Sequence, residues 1–141
     1  MEKILVTTDG SDTANKALLE AKRLGTAFGA EICILTVTPD VLMTPYVTMT
    51  NYNMETIKNL RESGEKILDE AIKLFDDYKG QVKVKLRTGN AGEEIIKEVE
   101  NHNYDLVVMG SRGLGTFSRA MLGSVSSRVL HHVKSNILIV K

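Results

Sequence analysis

Residues 107–129 read VVMGSRGLGTFSRAMLGSVSSRV. The stretch holds four glycines (Gly110, Gly113, Gly115 and Gly123), three arginines (Arg112, Arg119 and Arg128), several hydroxyls and no carboxylate. It starts as an apolar run, breaks into glycine, and resumes as a helical pattern. That combination suits the holding of a phosphate chain. Glycines let backbone N–H groups approach a ligand with no side chain in the way. The start of a helix adds N–H groups without intrahelical acceptors and about half a positive charge. Ser124 and Ser126 add hydroxyl donors, and Arg112 or Arg119 can add charge. A carboxylate placed here would repel such a guest, which accounts for its absence.

Two familiar phosphate motifs do not fit. A Walker loop needs Gly, four residues, then Gly-Lys-Ser/Thr; Gly110 and Gly115 have that spacing, but Thr116 stands in the lysine position. GxGxxG is absent, and the glycines fall in the second half of the chain instead of after the first strand. What the sequence holds is Gly110-x2-Gly113-x9-Gly123-Ser124.

The elements that must position this loop follow from apolar periodicity. KILVTT (3–8), EICILTV (31–37), DLVVMG (105–110) and NILIVK (136–141) are near-continuous aliphatic runs, as in strands covered on both faces. QVKVKLR (81–87) alternates, with Val82, Val84 and Leu86 opposite Lys83, Lys85 and Arg87, which suits an edge strand. Between them run helical stripes. Ala14 to Phe28 has Ser11 or Asp12 as N-cap and Gly29 beyond its end. Ile57 to Phe75 is followed by Gly80, and NAGEEIIKEVENH opens on Asn90 with Glu93 three residues on, resembling a capping box. Met121, Leu122, Val125, Val129 and Val133 form the last stripe. Strands alternating with helices predict one doubly wound parallel α/β domain. In such a sheet ligands bind beyond the carboxyl ends of the strands, where the winding reverses, and Gly110 lies at such an end. Residues 38–52 (TPDVLMTPYVTMTNY) are long for a strand–helix connection and mark a candidate lid or protein-partner surface.

The totals narrow the class. A 141-residue chain with 43% hydrophobic residues can bury one core. The formal net charge is zero, which predicts no nucleic-acid and no anionic-membrane partner. Residues 110–141 nevertheless carry five Lys/Arg and no Asp/Glu, leaving 13 basic and 18 acidic residues in 1–109. The single cysteine, Cys33, lies in an apolar run and reads as core. No run approaches a membrane span and no secretory leader is visible, so a soluble, cytoplasmic protein is expected. The spacing of His102, His131 and His132 suits no metal site; a surface or helix C-terminal placement is expected.

The combined pattern resembles the universal stress protein family, in its ATP-binding class. ILVTTDGSD is similar to that family's first strand and aspartate, GNAGEEI to its third-strand exit, and DLVVMGSRG to its most recognisable stretch. The resemblance covers the whole chain as a single domain, 1–141. It implies an adenine nucleotide alpha hydrolase-like fold with a five-stranded parallel sheet in order 3-2-1-4-5 and helices on both faces, which would bring Asp9 beside Gly110. It also implies ATP as ligand, with Mg²⁺ or Mn²⁺ reached through Asp9. Thr7 and Thr8 would border the base or ribose, Val37 would contact adenine, and Met109 would pack on the nucleoside. Gly110, Gly113, Gly123, Ser124, Val125 and Ser126 would hold ribose and phosphates; Arg112, read from its place in the loop, is the added candidate for phosphate contact. Thr7 stands where the family often has proline. A two-fold homodimer through strand 136–140 is implied as well, which agrees with an apolar edge that needs cover.

Turnover is less legible. Phosphoryl transfer needs a positioned nucleophile, charge stabilisation and usually a base, and no residue is an obvious base. TTDGSDT (7–13) lacks the paired glycines of a pyrophosphate-binding adenylating loop. The reading is a nucleotide-dependent regulatory, stress-response protein. A slow ATPase or phosphate-transfer enzyme, and a purely structural interaction module, stand as alternatives.

Overall fold

The computed structural model of the chain describes residues 1–40, 51–112 and 121–141. Along these run β1 (Lys3–Thr7), α1 (Asp12–Phe28), β2 (Glu31–Thr38), α2 (Asn51–Lys73), β3 (Val82–Thr88), α3 (Ala91–His102), β4 (Leu106–Gly110), α4 (Ser124–His132) and β5 (Asn136–Val140). All strand pairs are parallel, in the order β3-β2-β1-β4-β5. Val6 is paired with Ile34 on one side and Val108 on the other. The chain therefore winds outward through β2 and β3, crosses back over β1, and winds the other way through β4 and β5. The carboxyl ends of β1 and β4 meet at the reversal.

The continuous aliphatic runs are explained by burial on both faces. Alternate residues of a strand point to opposite sides. Ile4, Val6, Ile32, Ile34 and Val108 pack with Ala17, Leu18 and Ala21 of α1 and Leu68 and Ala71 of α2. Leu5, Cys33, Leu35, Val107 and Met109 pack with Ile95 and Val99 of α3 and Val129 of α4. Burial also pushes the Cys33 thiol above its ordinary range, as befits a core residue.

Local signals place the helix ends. Ser11 caps α1, its hydroxyl accepting the Ala14 N–H at 3.2 Å, and Gly29 ends the helix at φ 68°, a left-handed conformation that favours glycine. Asn90 caps α3 by accepting the Glu93 N–H at 3.1 Å. Glu93 does not complete the box; its carboxylate reaches Arg128 of α4 at 3.0 Å instead. α2 starts at Asn51, six residues before Ile57, and ends at Lys73, so Phe75 joins the core from the turn beyond it. The connection expected at 38–52 is thus shortened from both sides, and its residues 41–50 lie outside the described ones. Met121, expected in the last helical stripe, precedes α4 and is exposed.

β3 is an edge strand, but its cationic side does not simply face water. Lys85 and Arg87 turn towards α3, where Glu98 is wholly buried. One carboxylate oxygen of Glu98 accepts from Lys85 Nζ at 2.5 Å and from the Tyr104 hydroxyl at 2.8 Å; the other accepts from Arg87 Nη1 at 2.9 Å. Arg87 Nε also donates to Glu94 at 2.9 Å. The three histidines occupy the last turns of α3 and α4, and among the described residues no cluster of three potential metal ligands occurs. Among the described residues no helix is long and apolar enough to cross a membrane.

Candidate functional site

A cleft of about 310 Å³ opens at the carboxyl ends of β1, β2 and β4, a size at the low end for small-molecule sites. Thr7, Thr8 and Asp9 contribute from the end of β1 and just beyond it, Val37 from β2, and Met109, Gly110 and Arg112 from β4 and its exit; Gly123, Ser124, Val125 and Ser126 contribute from the start of α4. The sheet order brings these eleven sequence-predicted residues together. Gly113 and Arg119 lie outside the described residues. Sequence reasoning missed Ala14, Leu35 and Ala91, which line the same cleft. Leu35 was within reach, because it lies two residues before Val37 and so on the same face of β2. Ala14 and Ala91 carry no chemical signal and enter only because α1 and α3 begin here.

The start of α4 is the most unusual part of the cleft. Gly123 occupies the cap position in extended conformation, without a side-chain cap, and no acidic residue lies in the first turn. The first N–H groups of a helix have no intrahelical acceptor; here they stay uncapped, with the positive end of the dipole at the cleft. Two bonds fix this turn on the end of β4. The Gly123 N–H donates to the Ser111 carbonyl at 2.7 Å, and the Ser126 hydroxyl donates to the Gly110 carbonyl at 2.7 Å. The Ser126 proton is therefore engaged within the chain, which differs from the expectation of a free hydroxyl donor.

Gly110 has a reason to be glycine besides the cleft. A Cβ there would lie 2.9 Å from Thr13 Oγ1, 3.0 Å from the Thr13 carbonyl carbon and 3.1 Å from the Ala14 nitrogen. The first turn of α1 presses directly on the end of β4, and the Thr13 hydroxyl donates to the Arg112 carbonyl at 2.6 Å. Arg112 itself is half-buried. Asp9 accepts the Ser11 N–H on Oδ1 at 2.9 Å, holding the turn into α1. Its second oxygen has no partner among the described residues. An unengaged carboxylate oxygen could join a divalent ion of the Mg²⁺ type, which usually takes one or two carboxylates together with phosphates and water. Thr8 is buried and its polar groups are engaged: its N–H donates to the Leu35 carbonyl, its carbonyl accepts from Thr36 Oγ1, and its hydroxyl accepts from the Gly10 N–H. It locks the floor of the cleft in place.

Comparison with known proteins agrees with this geometry. The universal stress protein family model matches residues 1–141, and the chain belongs to that family. It is 32% identical over 145 residues to universal stress protein YxiE of Bacillus subtilis, covering 99% of this chain and 98% of the relative. Among solved structures it is similar to the protein MJ0577 of Methanocaldococcus jannaschii, with TM-score 0.86, 29% identity and coverage of 99% and 95%. Two more distant structures share the fold. A universal stress protein in complex with cAMP gives TM-score 0.74 at 23% identity, covering 99% of this chain and 97% of that one. An Arabidopsis thaliana family protein with AMP bound gives 0.72 at 17%, covering 100% and 92%. The fold is thus the α/β, nucleotide-hydrolase-like arrangement expected from the sequence.

Proposed function

We propose that this chain is an ATP-binding universal stress protein that acts as a nucleotide-dependent regulatory protein. The observation that carries the reading is the uncapped, acid-free start of α4, which opens on a cleft at the reversal point of the sheet. Phosphates would lie against Gly123, Ser124, Val125 and Ser126, with Arg112 and Gly113 beside them. The nucleoside would rest on Val37, Met109 and Gly110, bordered by Thr7 and Thr8. Asp9 would hold a Mg²⁺ or Mn²⁺ ion with the phosphates; such an ion supplies charge neutralisation, and the chain supplies position. Bound cAMP and AMP in family members of the same fold support an adenine nucleotide as the ligand class.

Binding fits better than rapid turnover. Asp9 is the only carboxylate among the described residues lining the cleft, and one of its oxygens already holds the turn into α1. The same reading includes a cytoplasmic homodimer through β5, whose apolar residues are half-buried at the sheet edge. It also includes a partner surface at residues 38–52, whose state the nucleotide would bias.

The test is to denature the purified protein and identify the released small molecule by mass spectrometry. Intact ATP near one-to-one is the expected result. If nothing is released and titration with Mg-ATP moves neither heat nor melting temperature, the reading fails.

A further inference from the structure

The cleft has walls from two helices that share no sheet hydrogen bonds with each other. Ala91 opens α3, which leaves the edge strand β3, and Gly123 to Ser126 open α4, which follows β4. Each helix start has its own anchor. α3 is tied to its side of the sheet by Arg87–Glu94 at 2.9 Å and by the Gly89 N–H donating to the Thr38 carbonyl at 2.9 Å. α4 is tied to β4 through Ser111 and Gly110. Below the cleft the helices meet through Val129, Ile95 and Val99, an apolar contact that is non-directional. Among the described residues one directional link spans them: Arg128 Nη2 donates to Glu93 Oε1 at 3.0 Å. Gly92 makes room for it, because a Cβ on Gly92 would lie 2.8 Å from Arg128 Cδ.

We infer that Glu93 and Arg128 are positioning residues that clamp the start of α3 to the start of α4 across Gly92, and so set the nucleotide affinity of the cleft between them. The ligand half of this inference rests on the nucleotide reading above; the structural half does not. Glu93 touches no ligand in that reading, since its carboxylate would repel phosphate. It acts instead by turning towards Arg128, which both withdraws its charge and joins the walls. Both side chains are about half exposed, so the pair contributes little to global stability. That separates a positioning role from a merely structural one.

The test uses the full-length protein, with Mg-ATP as probe. Glu93→Gln and Arg128→Met should each raise the Kd by about two- to fivefold, the range an exposed pair can supply, at unchanged melting temperature. Amide exchange should quicken at Glu93, Glu94 and Ser127, whose N–H groups are hydrogen-bonded in these first turns, without added nucleotide. The swapped pair Glu93→Arg with Arg128→Glu should restore both readouts. Unchanged exchange in the single variants would overturn the clamp. Exchange rescued by the swap without rescue of affinity would overturn its link to binding. If the wild type binds no Mg-ATP, the nucleotide reading and the affinity half fall together, and exchange alone decides whether the clamp exists.

Discussion

α3 and α4 begin beside the same cleft and are finished in opposite ways. α3 is closed by the Asn90 side chain, and Glu93 and Glu94 set negative charge against the positive end of its dipole. α4 starts from Gly123 with neither a side-chain cap nor an acid. The surroundings follow the same division. Around α3, Glu94 and Glu98 are matched against Lys85 and Arg87, so that each of these four charges has a partner. Around the start of α4 the described residues offer donors and a half-buried arginine, with no carboxylate before Asp9. One region is complete in itself, and the other leaves donors that the proposed anion would satisfy. One structural device, a helix start at the carboxyl end of the sheet, thus serves stability in one place and, in the function proposed above, recognition in the other.

The largest effect should come from breaking the self-sufficient side. Glu98→Ala would leave Lys85 and Arg87 without their buried partner and is expected to destabilise the fold by about 3 kcal/mol, as for removal of one member of a buried pair, measured by urea unfolding. The same group gives a pH dependence. Burial opposes ionisation of Glu98, but the Lys85 and Tyr104 hydrogen bonds, the Lys85 charge and the Arg87 hydrogen bond outweigh it and hold the carboxyl below its ordinary value of 4.5. A depressed folded-state pKa contributes stability above the ordinary value, lost as the pH falls through 4.5 towards the folded one. Melting temperature should therefore decline on acidification below that point, and the decline should be shallower in Glu98→Gln.

At the end of β4, Gly110→Ala should cost roughly 1–3 kcal/mol through overpacking against α1, even with no nucleotide present. A loss only of nucleotide affinity would show that α1 can retreat. Gly123→Asp sharpens the comparison by making α4 resemble α3. It should stabilise the fold by a few tenths of a kcal/mol while weakening Mg-ATP binding at least about tenfold, because the new carboxylate would occupy the anion's place. Equal or tighter binding would sink the phosphate assignment. The smallest effect is the converse, Asn90→Ala, expected to lower stability by about 1 kcal/mol through loss of the cap.

Much of this was legible in the sequence. The aliphatic runs gave the strands, and Ser11, Gly29 and Asn90 gave helix ends, because capping and periodicity are written within a few residues. The glycines and the missing carboxylates between Gly110 and Ser126 marked the cleft for the same reason. Other features had no local trace. Glu98 sits in an ordinary-looking charged helix, yet it is wholly buried because β3 presents Lys85 and Arg87 to that face. Glu93 looked like the second half of a capping box, but Arg128 of another helix outcompetes the local partner.

The sequence by itself thus determined which segments are strands and helices, where α1 and α3 start, and which loop is the candidate for receiving an anion. Only the tertiary structure decided that Gly110 must yield its Cβ to the first turn of α1, that Ser126 is occupied in holding α4 to β4, and that Ala14, Leu35 and Ala91 share the cleft. The physical reason is the range of the interactions. Hydrogen bonds within a turn and side-chain periodicity act over three or four residues, whereas those contacts join segments that become neighbours only when β4 crosses back to lie beside β1.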